Sequence, residues 1–154
     1  MNVLQEIRKE HEEVKDMMSR IEKLKGDPKK KLFQELYATV KGHHESEERV
    51  LFSDIKKESS EEGKEIVREM IEEHSLLSYQ FSVIEKTGIG NDTWDAKFNV
   101  LKEVLEHHID EEEKDLFKQA KKVLSEKILK DKYDDFEKTM KEYKKEQEEK
   151  LKRK

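Results

Sequence analysis

The sequence predicts an all-α fold: an antiparallel up-down four-helix bundle with an additional C-terminal helix. Three observations lead there. The 154-residue chain is 46% charged and only 32% hydrophobic, with 5 glycines and 1 proline. A typical domain is about one-quarter charged, and a sandwich or barrel needs more turn formers. The apolar residues recur at three- and four-residue spacing along four long segments, the period of a helix buried on one face. The chain also repeats itself. A shift of 63 lays Glu10-His11 on Glu73-His74, and a shift of 65 lays His43, Glu47, Glu48, Leu51 and Phe52 on His108, Glu112, Glu113, Leu116 and Phe117.

The first helix is expected from about Asn2 to Lys25, on the stripe Leu4, Ile7, His11, Val14, Met18 and Ile21. Gly26 closes it, Asp27 suits an N-cap and Pro28 a first helical turn. The second runs to about Lys57 through Leu36, Val40, His43, Glu47 and Leu51. Ser59-Ser60-Glu61-Glu62 reads as a capping box opening a third helix, which reaches about Lys86 through Ile66, Met70, His74, Leu77, Phe81 and Ile84. Gly88-Ile89-Gly90-Asn91 breaks the chain. The fourth helix runs from about Asp92 to Leu124 through Phe98, Leu101, Leu105, His108, Glu112 and Leu116. Ser125 can cap a fifth, docked by Ile128, Leu129, Tyr133, Phe136, Met140 and Tyr143, and the polar tail from Lys144 is expected to fray. Residues 1–124 thus form the bundle, and residues 125–154 a docking helix and charged tail of the same domain.

Composition narrows the function. A net charge of −5 with interspersed signs gives no basic stripe for nucleic acid. With no cysteine, disulfides, thiolate chemistry and Cys-ligated zinc or iron–sulfur clusters are excluded. The N-terminus lacks a signal-like apolar run, and no segment reaches the roughly 20 apolar residues of a membrane helix. A soluble, cytoplasmic protein with no membrane partner is the expectation.

Histidines carry the chemistry. Of the six, His11, His43, His74 and His108 fall on the core stripe of the four bundle helices. Glu47 and Glu112 follow one turn after His43 and His108, where a leucine belongs. A lone buried carboxylate is costly, so these positions call for a cation between the helices. Imidazole and carboxylate suit iron, manganese or zinc. His11, His43, Glu47, His74, His108 and Glu112 are therefore the expected metal ligands, enough for two ions, with two imidazoles each and both carboxylates bridging. Two irons so held keep room for an oxo or hydroxo bridge and outside ligands. On the second helix a stripe through Tyr37, Val40, His44, Glu48 and Leu51 is also plausible. The repeat selects His43 and Glu47, leaving His44 and His107 as flanking groups and His44 as the better substitute ligand. No Glu-x-x-His, His-Glu-x-x-His or phosphate loop occurs, which argues against a ferritin-like site, a zincin and a nucleotide site.

The paired segments His43-x3-Glu47-Glu48-x2-Leu51-Phe52 and His108-x3-Glu112-Glu113-x2-Leu116-Phe117, with His11 and His74, make residues 1–145 resemble the hemerythrin-like, or HHE cation-binding, family. The resemblance implies a bundle around a non-haem di-iron centre. Proline usually follows Leu-Phe in that family; Ser53 and Lys118 stand there, which bears on a helix kink more than on the metal. Oxygen carriers show His-x3-His on helix three and His-x4-Asp on helix four. Here Ser78 follows His74 by four, and His108 pairs with Glu112. The four-His, two-Glu set looks more like the di-iron domain of iron–sulfur cluster repair proteins, whose Cys-containing domain is absent.

The leading expectation is a di-iron protein that binds or reacts with O2, NO or peroxide, with a redox partner the sequence does not name. An exogenous ligand is expected at the iron nearest helix three, beside Ser78. An iron sensor, storage or delivery module without catalysis, and a structural bundle, remain open, as does whether the centre is catalytic.

Overall fold

The computed structural model of the chain describes residues 1–152, with side chains described through Lys150. Its elements are five helices. Helix α1 is Val3–Lys23; α2 comprises Gly26–Ser46, a π-helical stretch Glu47–Phe52, and Ser53–Glu58; α3 is Glu61–Thr87. Helix α4 comprises Trp94–Glu111, a second π-helical stretch Glu112–Leu116, and Phe117–Val123; α5 is Glu126–Lys152. Helices α1 to α4 form the bundle, and α5 lies in the groove between α1 and α2.

The helix starts follow local chemistry. Asn2 accepts from the Gln5 N–H at 3.0 Å while Gln5 accepts from the Asn2 N–H at 2.9 Å, a reciprocal cap. The Ser125 hydroxyl accepts from the Ile128 N–H at 3.2 Å, capping α5. Two expected caps do not form. Ser60 stands extended before α3 without a side-chain cap bond, and Asp27 lies inside the first turn of α2. Leu24 and Lys25 run extended between α1 and α2, and Gly26 opens α2 at φ 63°, a left-handed conformation that a Cβ would strain.

The tail expected to fray from Lys144 is helical through Lys152; residues 153–154 lie outside the described residues. Strong helix formers and Glu–Lys spacings of four, such as Glu146 with Lys150, support a helix without burial.

The core is in two parts. One end packs Val14, Met18, Ile21, Phe33, Leu36, Phe81, Trp94, Phe98 and Leu101. The other packs Leu4, Ile7, Leu51, Phe52, Ile55, Met70, Leu116, Phe117, Leu129 and Phe136. Between them lies a layer of buried histidine and glutamate. Each apolar end closes one side of that layer to water.

Both π-helical stretches begin at the buried glutamate. A π turn inserts an extra residue, so two consecutive residues after it face inward: Leu51-Phe52 and Leu116-Phe117 are all buried. The distortion is present although Ser53 and Lys118 stand where proline is usual. At the first stretch Lys132 of α5 donates to the Val50 carbonyl at 2.7 Å and also pairs with Asp54. Further along, Gly42 admits Tyr143. A Cβ there would stand 2.8 Å from the tyrosine ring, so the glycine sets how closely α5 approaches α2.

Candidate metal centre

The six residues expected from the sequence come together in the polar layer. Val14 and Ile7 on α1, Val40 and Leu36 on α2, and their counterparts on α3 and α4 fix each helix by its apolar stripe. His11, His43, His74 and His108 therefore turn inward at one level. All four are buried, and Glu47 and Glu112 are 0% exposed. Their ring Nε2 atoms converge. His43 Nε2 lies 3.2 Å from His11 Nε2. Glu47 Oε1 sits 3.4 Å from His43 Nε2 and 3.4 Å from His74 Nε2. Glu112 Oε1 faces His11 Nε2 at 3.3 Å, and its Oε2 faces His108 Nε2 at 3.3 Å.

These separations test the fit of a cation. Metal–nitrogen bonds of about 2.1 Å at a right angle put two donors about 3 Å apart, close to the spacings observed. Both oxygens of Glu47 and of Glu112, with Nε2 of His74 and of His108, are buried without a hydrogen-bond partner. Orphaned polar atoms in a core are rare, and here they face one another. The donor set falls into two groups, His11 with His43, Glu47 and Glu112, and His44 with His74 and His108. Glu112 touches both groups, one oxygen to each, and Glu47 touches an imidazole of each.

Four further glutamates hold the rings from behind. Glu113 Oε2 lies 2.8 Å from His11 Nδ1, Glu10 Oε1 2.7 Å from His43 Nδ1, Glu48 Oε2 3.0 Å from His74 Nδ1, and Glu73 Oε1 2.7 Å from His108 Nδ1. A carboxylate at Nδ1 fixes the tautomer that leaves Nε2 free for a metal and makes that nitrogen more basic. The sequence reading gave these four no such role. The signal was present: each belongs to the internal repeat, Glu10 with Glu73 and Glu48 with Glu113.

His44, expected as a flanking group and substitute ligand, stands beside the cluster. It is buried, and its ring stacks on His74 with centroids 3.7 Å apart and planes 7° apart. It thus stands near Ser78, as a substitute for the missing fifth imidazole would; both residues line one cavity of about 150 Å³. His107, by contrast, is 73% exposed in its side chain and pairs with Glu111 on the surface.

The electrostatics describe a basin of negative potential. Burial opposes a charged imidazole, but Glu112, Glu47 and Glu48 outweigh it at His74, raising it to about 10. His108 rises to about 9 against the same burial, through Glu112 and Glu73. Burial also works on the Glu112 carboxyl, upward, yet Glu47 and the surrounding imidazoles hold it well below the usual carboxylate range. His44 is pushed down, first by burial and then by the neighbouring His74 and His108.

A hemerythrin HHE cation-binding domain profile matches residues 2–120. The chain belongs to that family. A crystal structure of a hemerythrin HHE cation-binding domain-containing protein from Mycobacterium kansasii is similar, with a TM-score of 0.89 at 21% identity, covering 99% of this chain and 93% of that one. A comparison with curated proteins found no match. This hemerythrin-like domain therefore presents a cation-binding donor set within a hemerythrin-type bundle. Among its described residues no helix is long and apolar enough to cross a membrane.

Proposed function

We propose that this chain is a non-haem di-iron protein that binds or reacts with O2, NO or peroxide. His11 and His43 would hold one iron and His74 and His108 the other, and Glu47 and Glu112, each within reach of both pairs of imidazoles, would supply carboxylates to them. The observation that carries this reading is the set of buried, unpartnered oxygens on Glu47 and Glu112 and nitrogens on His74 and His108, which a pair of cations would satisfy. The all-imidazole and carboxylate chemistry of the set suits iron. When bound, two irons supply electrons and exchangeable positions for a small oxidant or diatomic. The protein's share is to present four fixed Nε2 donors, to supply two carboxylates, and to exclude bulk water with Ile7, Val14, Val40, Leu77 and Leu105. Glu10, Glu48, Glu73 and Glu113 keep the imidazoles in the donor tautomer.

The test is iron content and the near-ultraviolet and visible spectrum of protein loaded anaerobically with ferrous iron, then exposed separately to O2, NO and peroxide. Two irons per chain and a spectral change with at least one of these support the reading. Two irons that respond to none of them favour an iron sensor, storage or delivery module. No iron bound favours a structural bundle.

A further inference from the structure

His44 differs from the other buried imidazoles in two ways. The first is support: among the described residues, each of the other four buried imidazoles has a carboxylate within 3.0 Å of its Nδ1, whereas His44 has no hydrogen bond or ion pair. The second is direction. A ring nitrogen donates in the plane of its ring. The His44 and His74 planes are 7° from parallel, with centroids 3.7 Å apart, so an ion in the plane of one ring lies well outside the plane of the other. The His44 ligand atom lies within 4.8 Å of those of His74 and His108, so a turn out of the stack is enough to aim it at an ion they hold.

The stack also forms the floor of a cavity of about 150 Å³, whose walls include Tyr37, Ser78 and Phe81 and the charged Lys41, Glu45 and Glu48, so that an anion enters past two carboxylates and one ammonium toward the cations. Ser75 and Ser78 are exposed, so the cavity reaches from the surface to the two rings. A volume of that size has room for a few waters or a small anion. Tyr37 is fixed at its wall by stacking on Phe81, centroids 5.0 Å apart and planes 12° apart. The imidazole at its floor is held by ring contacts alone, with His43, His74 and His108.

We propose that His44 is a displaceable ligand, alternating between its stack on His74 and the ion held by His74 and His108, and that the adjoining cavity admits a small anion or peroxide to the position His44 gives up. This rests on the di-iron reading above and adds which residue yields and by which route. The exchange is a simple ligand substitution: one donor bond is lost as another forms, and no electron moves. An internal competitor lowers the apparent affinity of an outside ligand by the fraction of protein in the open state. The four carboxylate-held imidazoles have no such freedom.

The probe is azide, titrated into the iron-loaded full-length protein and followed by visible absorbance, with iron per chain measured in parallel. Wild type, His44→Ala, His74→Ala and Ser78→Leu are compared. His44→Ala is expected to keep both irons and to bind azide about tenfold more tightly, the gain from removing a competitor that closes nine-tenths of the sites. His74→Ala is expected to lose iron. Ser78→Leu, a change at an exposed position, is expected to slow azide association severalfold while leaving iron content and final affinity unchanged. If His44→Ala loses iron as His74→Ala does, His44 is a fixed ligand and the proposal fails. Unchanged azide affinity in His44→Ala, or unchanged azide association in Ser78→Leu, also overturns it. Wild type that holds no iron defeats the di-iron reading itself, an outcome separate from these.

Discussion

Glu113 on α4 sits 2.8 Å from the Nδ1 of His11 on α1, a contact between residues more than a hundred positions apart. Arg8 holds the same carboxylate at 3.0 Å from its Nε. The pair fixes the direction of the His11 ring from outside the cluster. Replacing Glu113 with alanine should leave the fold intact and weaken metal binding about 10- to 100-fold, the usual effect of losing such support. Competition against a chelator of known affinity measures it. Glu10→Ala, Glu48→Ala and Glu73→Ala should act alike, because each backs one imidazole. Affinities equal to wild type in all four would show that the rings need no support.

Alanine at His11, His43, His74, His108, Glu47 or Glu112 should lower bound iron or change its spectrum. His107→Ala should do neither, since that ring faces solvent and meets only Glu111. Metal analysis of the seven variants, purified in parallel, separates the two groups.

Metal uptake should release protons. His74 at about 10 and His108 at about 9 are charged at neutral pH in the metal-free protein. A cation at Nε2 must displace those protons. Calorimetry of metal binding at pH 7 in buffers of different ionisation enthalpy should report at least two protons per chain, one from each ring. The same shifts govern metal-free stability. An imidazole raised from 6.5 stabilises the folded state fully below that value, and the contribution is lost as pH rises through about 9 to 10. His44, pushed down, has the opposite sign and costs stability below 6.5. Denaturant titrations of metal-free protein should therefore find it weaker at pH 10 than at pH 7. A flat profile over that range counts against the charged imidazoles.

Bound metal should also stabilise the bundle. Binding to the folded state alone adds about 4 kcal/mol at a thousandfold excess over the dissociation constant. Iron-loaded protein should melt clearly above metal-free protein, and identical melting curves would contradict a buried site.

Much of this was legible before the structure. The four stripes, the Gly26 and Gly88 breaks and the repeat come from spacing alone, and they placed all six inward-facing residues at one level. His44 was legible only as a substitute ligand and its stack on His74 was not, because adjacent helix positions differ by about 100° and either His43 or His44 fits the stripe of α2. The π turn at Glu47 was not legible either: it depends on packing that lets Leu51 and Phe52 both enter the core. The outer glutamates were marked by the repeat, but their contacts with the rings were masked by abundance. In a chain with 38 acidic residues, Glu10 and Glu113 look like solvated charges until tertiary contact brings them to an imidazole. The helical tail beyond Lys144 showed the converse, local propensity prevailing without a core.

Glu6 supplies a prediction of its own. Burial, then the nearby Glu10 carboxylate, raises it from 4.5 to about 7. The contribution of such a carboxyl is fully present below 4.5 and is lost as pH rises from there through about 7. Glu6→Gln should be near neutral in stability at pH 4 and stabilising at pH 8. A difference between variant and wild type that does not change with pH would defeat this assignment.

The carboxylate contacts also divide by hairpin. Glu10 serves His43 within the α1–α2 hairpin, and Glu73 serves His108 within α3–α4. Glu113 and Glu48 reach across, from α4 to His11 and from α2 to His74. Neither hairpin is self-sufficient: each lends one carboxylate to the other and borrows one in return. Two copies of a single hairpin, paired face to face about a two-fold axis, could satisfy the same four contacts. The arrangement is what duplication and fusion of a half-length, self-associating ancestor would leave behind. A chain severed between Ser59 and Ser60 should regain metal affinity only when both fragments are mixed.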